Sequence, residues 1–149
     1  MAKIYPSSKA PIGAPVDSAA YYEGELLKKS DTAGRLAKVA DKDDVVVAVV
    51  DQDSLTAKGD AKTVAAGYKL GCWRLGSGEI VWVKSVITQT YAPGAKIYAD
   101  DAVDGQVTAT ANTSRPIGTY PEWMTQQITA IAGELVPCIL DVPVGAAEV

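Results

Sequence analysis

Tyr91–Ala111 reads YAPGAKIYADDAVDGQVTATA. A Pro93-Gly94 turn leads into a short apolar run, Lys96–Ala99, and an acidic turn ending at Gly105 follows. Gln106–Ala111 then alternates apolar and polar residues. Turn residues bracketing two period-2 runs are the pattern of a β-hairpin. The stretch carries no reactive side chain, so it describes a chain built to hold a shape and to touch neighbours.

The same pattern occurs earlier in the chain. Tyr21-x-x-Gly24-x-x-Leu27 matches Tyr91-x-x-Gly94-x-x-Ile97. Gly34-x-Leu36 followed by Ala40 matches Gly105-x-Val107 followed by Ala111, after one inserted residue. Val45-Val46-Val47 then falls opposite Pro116-Ile117-Gly118, and Gly78-Glu79-Ile80-Val81 opposite Gly133-Glu134-Leu135-Val136. Shared turn chemistry accounts for part of the glycine agreement. The order of elements nevertheless predicts an all-β fold: a compact antiparallel β-barrel or sandwich from two similar halves, about residues 21–90 and 91–143. Such an arrangement removes exposed strand edges.

Working outward, residues 1–20 are rich in Pro, Ser and Ala, and Pro6, Pro11 and Pro15 favour an extended path. The expectation is an extended N-terminal arm lying across a neighbour, with Tyr5, Ile12 and Val16 as anchors, or else a solvated tail. Residues 21–149 form the single barrel or sandwich domain. Strands are expected at Glu25–Lys29, Gly34–Ala40, Val45–Val50, Tyr68–Leu75, Glu79–Thr88 and Glu134–Val142. The valine run at 45–50 suits a strand buried on both faces. Asp51–Gly67 reads as a long connection with one helical turn around Ala61–Ala66. Pro121–Ala132 is ambiguous and is read as loop then strand. Pro137 suggests that the last strand is an edge or a bulge. In Glu79–Thr88, Val81, Val83 and Ile87 face one way while Ile80, Trp82 and Val86 face the other. Two apolar faces require a cover: the arm, a long loop or another subunit.

The 149 residues suit one domain with a sizeable core, and 48% apolar content argues against disorder. A net charge of -4 without a basic cluster beyond Lys28–Lys29 disfavours nucleic acid. The longest apolar run, Val45–Val50, is far short of the roughly 20 residues that span a bilayer, so no membrane is expected. The start, MAKIYPSSKAPIGAP, lacks the apolar core of a secretory signal, so a cytoplasmic origin is expected. There is no histidine, which removes Ser-His-Asp and Cys-His catalysis and His-ligated zinc.

What chemistry remains is thin. Asp41/Asp43/Asp44, Asp51/Asp53 and Asp100/Asp101/Asp104 are acidic clusters without the Asp-x-Asp-x-Asp-Gly order or closing glutamate of a calcium loop. They read as solvated turns, with no metal, cofactor or catalytic residue assigned and no enzyme expected. Cys72 and Cys138 lie in apolar surroundings and read as buried thiols, with a disulfide left open. Trp73, Trp82 and Trp123 suit core or interface packing, or else a platform for stacking sugars. Candidate contact residues are Tyr5, Ile12, Val16, Ile80, Trp82, Val86, Trp123 and Met124.

The succession Gly34–Ala40, Val45–Val50, Pro93-Gly94-Ala95-Lys96-Ile97-Tyr98-Ala99-Asp100, Gly105-Gln106-Val107-Thr108 and Ile117-Gly118 resembles the small β-rich head decoration, or cement, proteins of tailed double-stranded DNA viruses. The resemblance covers roughly residues 21–143. It implies a non-enzymatic virion protein on the capsid exterior that bridges neighbouring major capsid proteins and stiffens the shell against DNA pressure. A homo-oligomer, trimer or dimer, on the capsid goes with it. Competing readings are a small β-barrel module that binds carbohydrate or peptide through Trp73 or Trp123, and a tail, spike or turret component.

Overall fold

In a computed structural model, the residues described are 12–40, 44–51, 62–75, 78–86, 89–100, 102–110, 116–123, 128–130 and 135–140. The turns organise the chain. Gly24 and Gly94 take φ of 83° and 81°, a left-handed conformation that glycine adopts without steric cost. Each closes the same tight turn: the Glu25 N–H donates to the Tyr22 carbonyl, and the Ala95 N–H to the Ala92 carbonyl. Gly34 and Gly105, at φ of 81° and 79°, do the same for the hairpins that follow.

Between the turns run short strands, with no helix among the described residues. The first set is β1 (Ile12–Pro15), β2 (Ala19–Tyr21), β3 (Leu26–Lys29), β4 (Leu36–Lys38), β5 (Ala48–Val50), β6 (Lys62–Val64) and β7 (Lys69–Arg74). The second is β8 (Ile80–Lys84), β9 (Gln89–Tyr91), β10 (Lys96–Ala99), β11 (Val107–Thr108), β12 (Gly118–Thr119), β13 (Ile128–Ala130) and β14 (Leu135–Leu140).

The two sets have one topology. One sheet runs β1-β7-β5-β3-β4 and the other β8-β14-β12-β10-β11, while β2 pairs β6 as β9 pairs β13. All strand pairs are antiparallel. A parallel bridge from Val16 to Leu36 joins the two edges of the first sheet, and one from Ser85 to Val107 joins those of the second. One bridge per sheet brings its two edges together, so each sheet curls into a small, partly closed barrel. Register makes the halves comparable residue by residue. Ile12 pairs Cys72 as Val81 pairs Cys138, and Ala48 pairs Arg74 as Gly118 pairs Leu140.

The first barrel's interior holds Val16, Tyr21, Leu27, Ala48, Val50, Leu70 and Cys72. A larger cluster fills the second barrel and extends to Leu26, Val39, Val49, Trp73 and Leu75 of the first. The strands β3, β5 and β7 are thus apolar on both faces, one face lining their own barrel and the other meeting its neighbour. The valine run of 45–50 ends in Ala48-Val49-Val50, which is buried throughout, as its composition predicts.

Several expectations change. The repeat starts at Ile12, not Tyr21: β1 and β8 are equivalent first strands, so the halves run 12–75 and 80–140. Residues 12–20 accordingly belong to the barrel rather than to an arm, and residues 1–11 lie outside the described part. Gly78–Val81 is not the counterpart of Gly133–Val136, because β14 matches β7 and Ile80-Val81 plays the part of β1. Val46-Val47-Ala48, one residue on from the sequence match, stands opposite Pro116-Ile117-Gly118. The helical turn expected at 61–66 is absent where the chain is described, since Lys62–Val64 pairs with Ala19–Tyr21. Pro137 lies in an interior strand. The β12 ladder reaches only Ile139 and Leu140, so on that side no pairing calls for an N–H at 137.

Candidate functional site

The seam between the barrels is built from backbone as much as from side chains. The Lys84 N–H donates to the Gly24 carbonyl at 2.9 Å, and the Leu26 N–H to the Gly105 carbonyl at 2.7 Å. Gly105 in turn donates to the Val39 carbonyl at 2.7 Å. Glycine is required at both places. A Cβ on Gly24 would stand 2.5 Å from Leu135 Cδ2, and one on Gly105 3.1 Å from Glu25 Cβ.

Charge crosses the seam too. The buried Glu25 carboxylate accepts from the Tyr22 N–H at 2.8 Å and pairs with Lys38 Nζ at 3.2 Å. Burial pushes its pKa up, opposed by the Tyr22 N–H and by Lys38. The Lys84 ammonium sits 4.7 Å from the centre of the Tyr22 ring. Burial lowers its pKa, against the opposing charge of Glu25. These groups are held by partners inside the fold.

Beside the seam the halves differ in what is covered. In the first barrel Ile12, Ala14, Leu36 and Val47 line an open apolar groove of about 580 Å³, with Lys29 and Arg74 at its rim. Their equivalents in the second barrel, Val81, Val83, Val107, Ile117 and Leu140, are each at most 6% exposed. Those residues share one cluster with Leu26, Val39, Val49, Trp73 and Leu75 of the first barrel. The second barrel's counterpart of the groove is buried in one cluster with the first barrel's outer face, and the first groove stands open.

The expected contact residues scatter over this framework. Ile12 (44% exposed) lies in the open groove, and Trp123 (60% exposed) projects from a turn of the second barrel beside the exposed Glu122. Ile80 and Trp82 are half-buried on the outer face of β8, where Trp82 Nε1 is buried without a hydrogen-bond partner. Val16 is wholly buried in the first barrel's interior, so it contacts no neighbour. Val86 is 8% exposed and its N–H donates to the Val107 carbonyl, which makes it a closure residue of the second barrel. Tyr5 and Met124 lie outside the described residues. Sequence reasoning missed Tyr68 and Val103, both exposed in turns that contain a left-handed glycine, Gly67 and Gly105. It also missed the groove residues Ala14, Leu36, Val47 and Arg74, which only tertiary structure brings together.

The other candidates resolve into structure. Trp73 is buried and its Nε1 donates to the Asp51 carboxylate at 2.8 Å, so it grips no ligand. Asp100 accepts from the Ala102 and Val103 N–H groups at 2.9 and 2.7 Å, a side chain holding its own turn. Asp41, Asp43, Asp53 and Asp101 lie outside the described residues. Cys72 and Cys138 are buried at equivalent places, one in each barrel, and form no disulfide. Burial, with the Asp51 charge behind it, raises the Cys72 thiol to about 11, which keeps it protonated and unreactive at neutral pH. No protein-family model matches the chain, and no curated protein matches it either.

Proposed function

We propose that the chain is a structural virion protein, made in a host cytoplasm, that binds the outer capsid surface of a tailed double-stranded DNA virus. There it cements neighbouring major capsid proteins, as a homo-oligomer, and acts without catalysis or cofactor. The observation that carries this reading is the pair of equivalent barrels in one chain, joined across a buried seam. Two similar units with different exposed surfaces suit a protein that must touch more than one neighbour on a repetitive lattice. Many identical copies give avidity even when each contact is weak. The motifs that carry the family resemblance also fall on repeated elements, Gly94 and Gly105 at turns and Lys96–Ala99 and Val107-Thr108 on strands.

The test is co-sedimentation of the purified protein with shells that lack it, together with the shells' thermal stability. Pelleting with the shells and a raised melting temperature are expected. Protein left in the supernatant and an unchanged melting temperature would overturn the reading.

A second reading is favoured by one residue. The exposed indole of Trp123 suits a carbohydrate- or peptide-binding module. Binding on a glycan or peptide array that Trp123→Ala abolishes would select it over the capsid role, or over a tail, spike or turret component.

A further inference from the structure

The contact between the barrels is heterologous: different surfaces of the two units meet. Gly24 of the first barrel is packed against Leu135, Lys84 and Trp82 of the second, whereas its counterpart Gly94 meets only Glu122 of its own barrel. Gly105 is packed against Glu25 and Lys38 across the seam, whereas its counterpart Gly34 has nothing within 4 Å. A two-fold contact would have used both members of each pair. A heterologous one leaves an unused acceptor surface on the first barrel, and head-to-tail contacts of this kind propagate into rings or filaments.

That unused surface is the open groove. Its floor is Ile12, Ala14, Leu36 and Val47, and Lys29 and Arg74 give its rim positive charge. At about 580 Å³ it lies within the roughly 300–1,000 Å³ range of binding clefts. The outer face of the second barrel does not complement it, because the positions of Leu26 and Val49 are taken there by Lys96 and Thr119. A different element of the second barrel does. Trp123 is a large exposed apolar side chain, and Glu122 beside it supplies an exposed carboxylate. An indole for an apolar floor and a carboxylate for a cationic rim make the knob and the groove complementary in both shape class and charge.

We infer that the groove is the docking site for a second copy of this chain, which inserts Trp123 between Ile12 and Leu36 and sets Glu122 against Arg74. The contact is head to tail, with the groove on the first barrel of one copy and the knob on the second barrel of the next. It stands whether or not the chain sits on a capsid.

Sedimentation velocity of the whole chain over a concentration series tests this. The wild type forms species heavier than the monomer. Trp123→Ala weakens association at least ~30-fold, the loss of one interface anchor, and Arg74→Glu weakens it as well. Neither variant touches the core, and circular dichroism confirms the fold. The decisive sample is the mixture: Trp123→Ala keeps an intact groove and Arg74→Glu an intact knob, so together they form a heterodimer that goes no further. A monomeric wild type overturns the inference, even if that protein still binds shells. So does a Trp123→Ala variant that associates normally, or a mixture that stays monomeric.

Discussion

The two barrels have the same strands, order, closing bridges and turn glycines, yet they treat their outer faces in opposite ways. Leu26, Val49 and Trp73 of the first barrel are buried against the second. The equivalent positions of the second are Lys96, exposed, with Thr119 and Ile139, half-buried. Inside the barrels the residues stay alike: Tyr21 and Tyr91, Leu27 and Ile97, Leu70 and Val136, Cys72 and Cys138 are all fully buried. The lesson is that interior and turns specify the barrel, while the outer face records what each barrel is packed against. Lys and Thr on the uncovered face also keep it from acting as a second apolar plug.

The largest expected breach of this equivalence is at Gly118. Its counterpart Ala48 carries a Cβ without difficulty, but a Cβ at 118 would collide with Cys138 Sγ and with the Ile139 carbonyl oxygen. The backbone of β14 would have to move. Gly118→Ala should therefore cost ~3–4 kcal/mol, at or beyond the upper end of overpacking, whereas Ala48→Gly should cost ~1 kcal/mol. Urea midpoints of the two variants check it; equal shifts would mean that the close packing at 118 is not as described. The outer faces come next. Leu26→Ala removes a wholly buried side chain from the seam and should cost ~3 kcal/mol. Lys96→Ala at the equivalent position should fall within about 0.5 kcal/mol of the wild type. Similar losses from both would put the second barrel's face under cover.

The turn glycines separate the halves more finely. Gly24 and Gly94 share the left-handed conformation, which costs an alanine roughly 1–2 kcal/mol in either place. Only at Gly24 would the added Cβ also collide with Leu135 and crowd the Lys84 backbone. Gly24→Ala should exceed Gly94→Ala by ~2 kcal/mol of overpacking. Equal losses would place the seam elsewhere.

Much of this was legible in the sequence, and the parts that were not share a cause. The all-β class, the strand Lys96–Ala99 and the repeat all follow from local alternation and from glycines whose spacing is a property of turns. The register of the repeat was lost because β1 and β8 match in topology and hardly in residues: Ile12-Gly13-Ala14 against Val81-Trp82-Val83. Val16 looked like an anchor because it is an apolar residue at the end of a proline-rich segment, and nothing local reports that it bridges to Leu36, twenty residues further on. The open groove was illegible for the same reason. Its lining comes from β1, the end of β3, β4, β7 and the residues at the start of β5, joined only by tertiary structure. Trp123 was legible as a contact candidate, since a large aromatic beside Pro121 and Glu122 in a turn has little local use.

The smallest effect sets the two interiors side by side in alkali. Tyr21 and Tyr91 are equivalent, and burial raises each to about 12 from an ordinary 10.0, helped at Tyr21 by the Asp17 and Glu25 charges and opposed at Tyr91 by the Ser85 hydroxyl. A raised folded-state pKa means that the fold favours the neutral phenol. The stability tied to it is complete below pH 10 and is lost as pH rises from 10 towards 12. Lys84 acts in the other direction, because its lowered pKa adds stability as pH climbs, but that gain ends at the ordinary value of 10.5. The melting temperature should thus fall between pH 10.5 and 12, with the buried phenols of Tyr21 and Tyr91 ionising only as the chain unfolds, after exposed tyrosines such as Tyr68. Burial also raises Tyr120 and Cys72, which add to the slope, so Tyr21→Phe and Tyr91→Phe should each remove a part of it, and comparable parts if the two interiors carry it equally. A slope left intact by either substitution would show that one barrel, rather than the pair, governs alkaline unfolding.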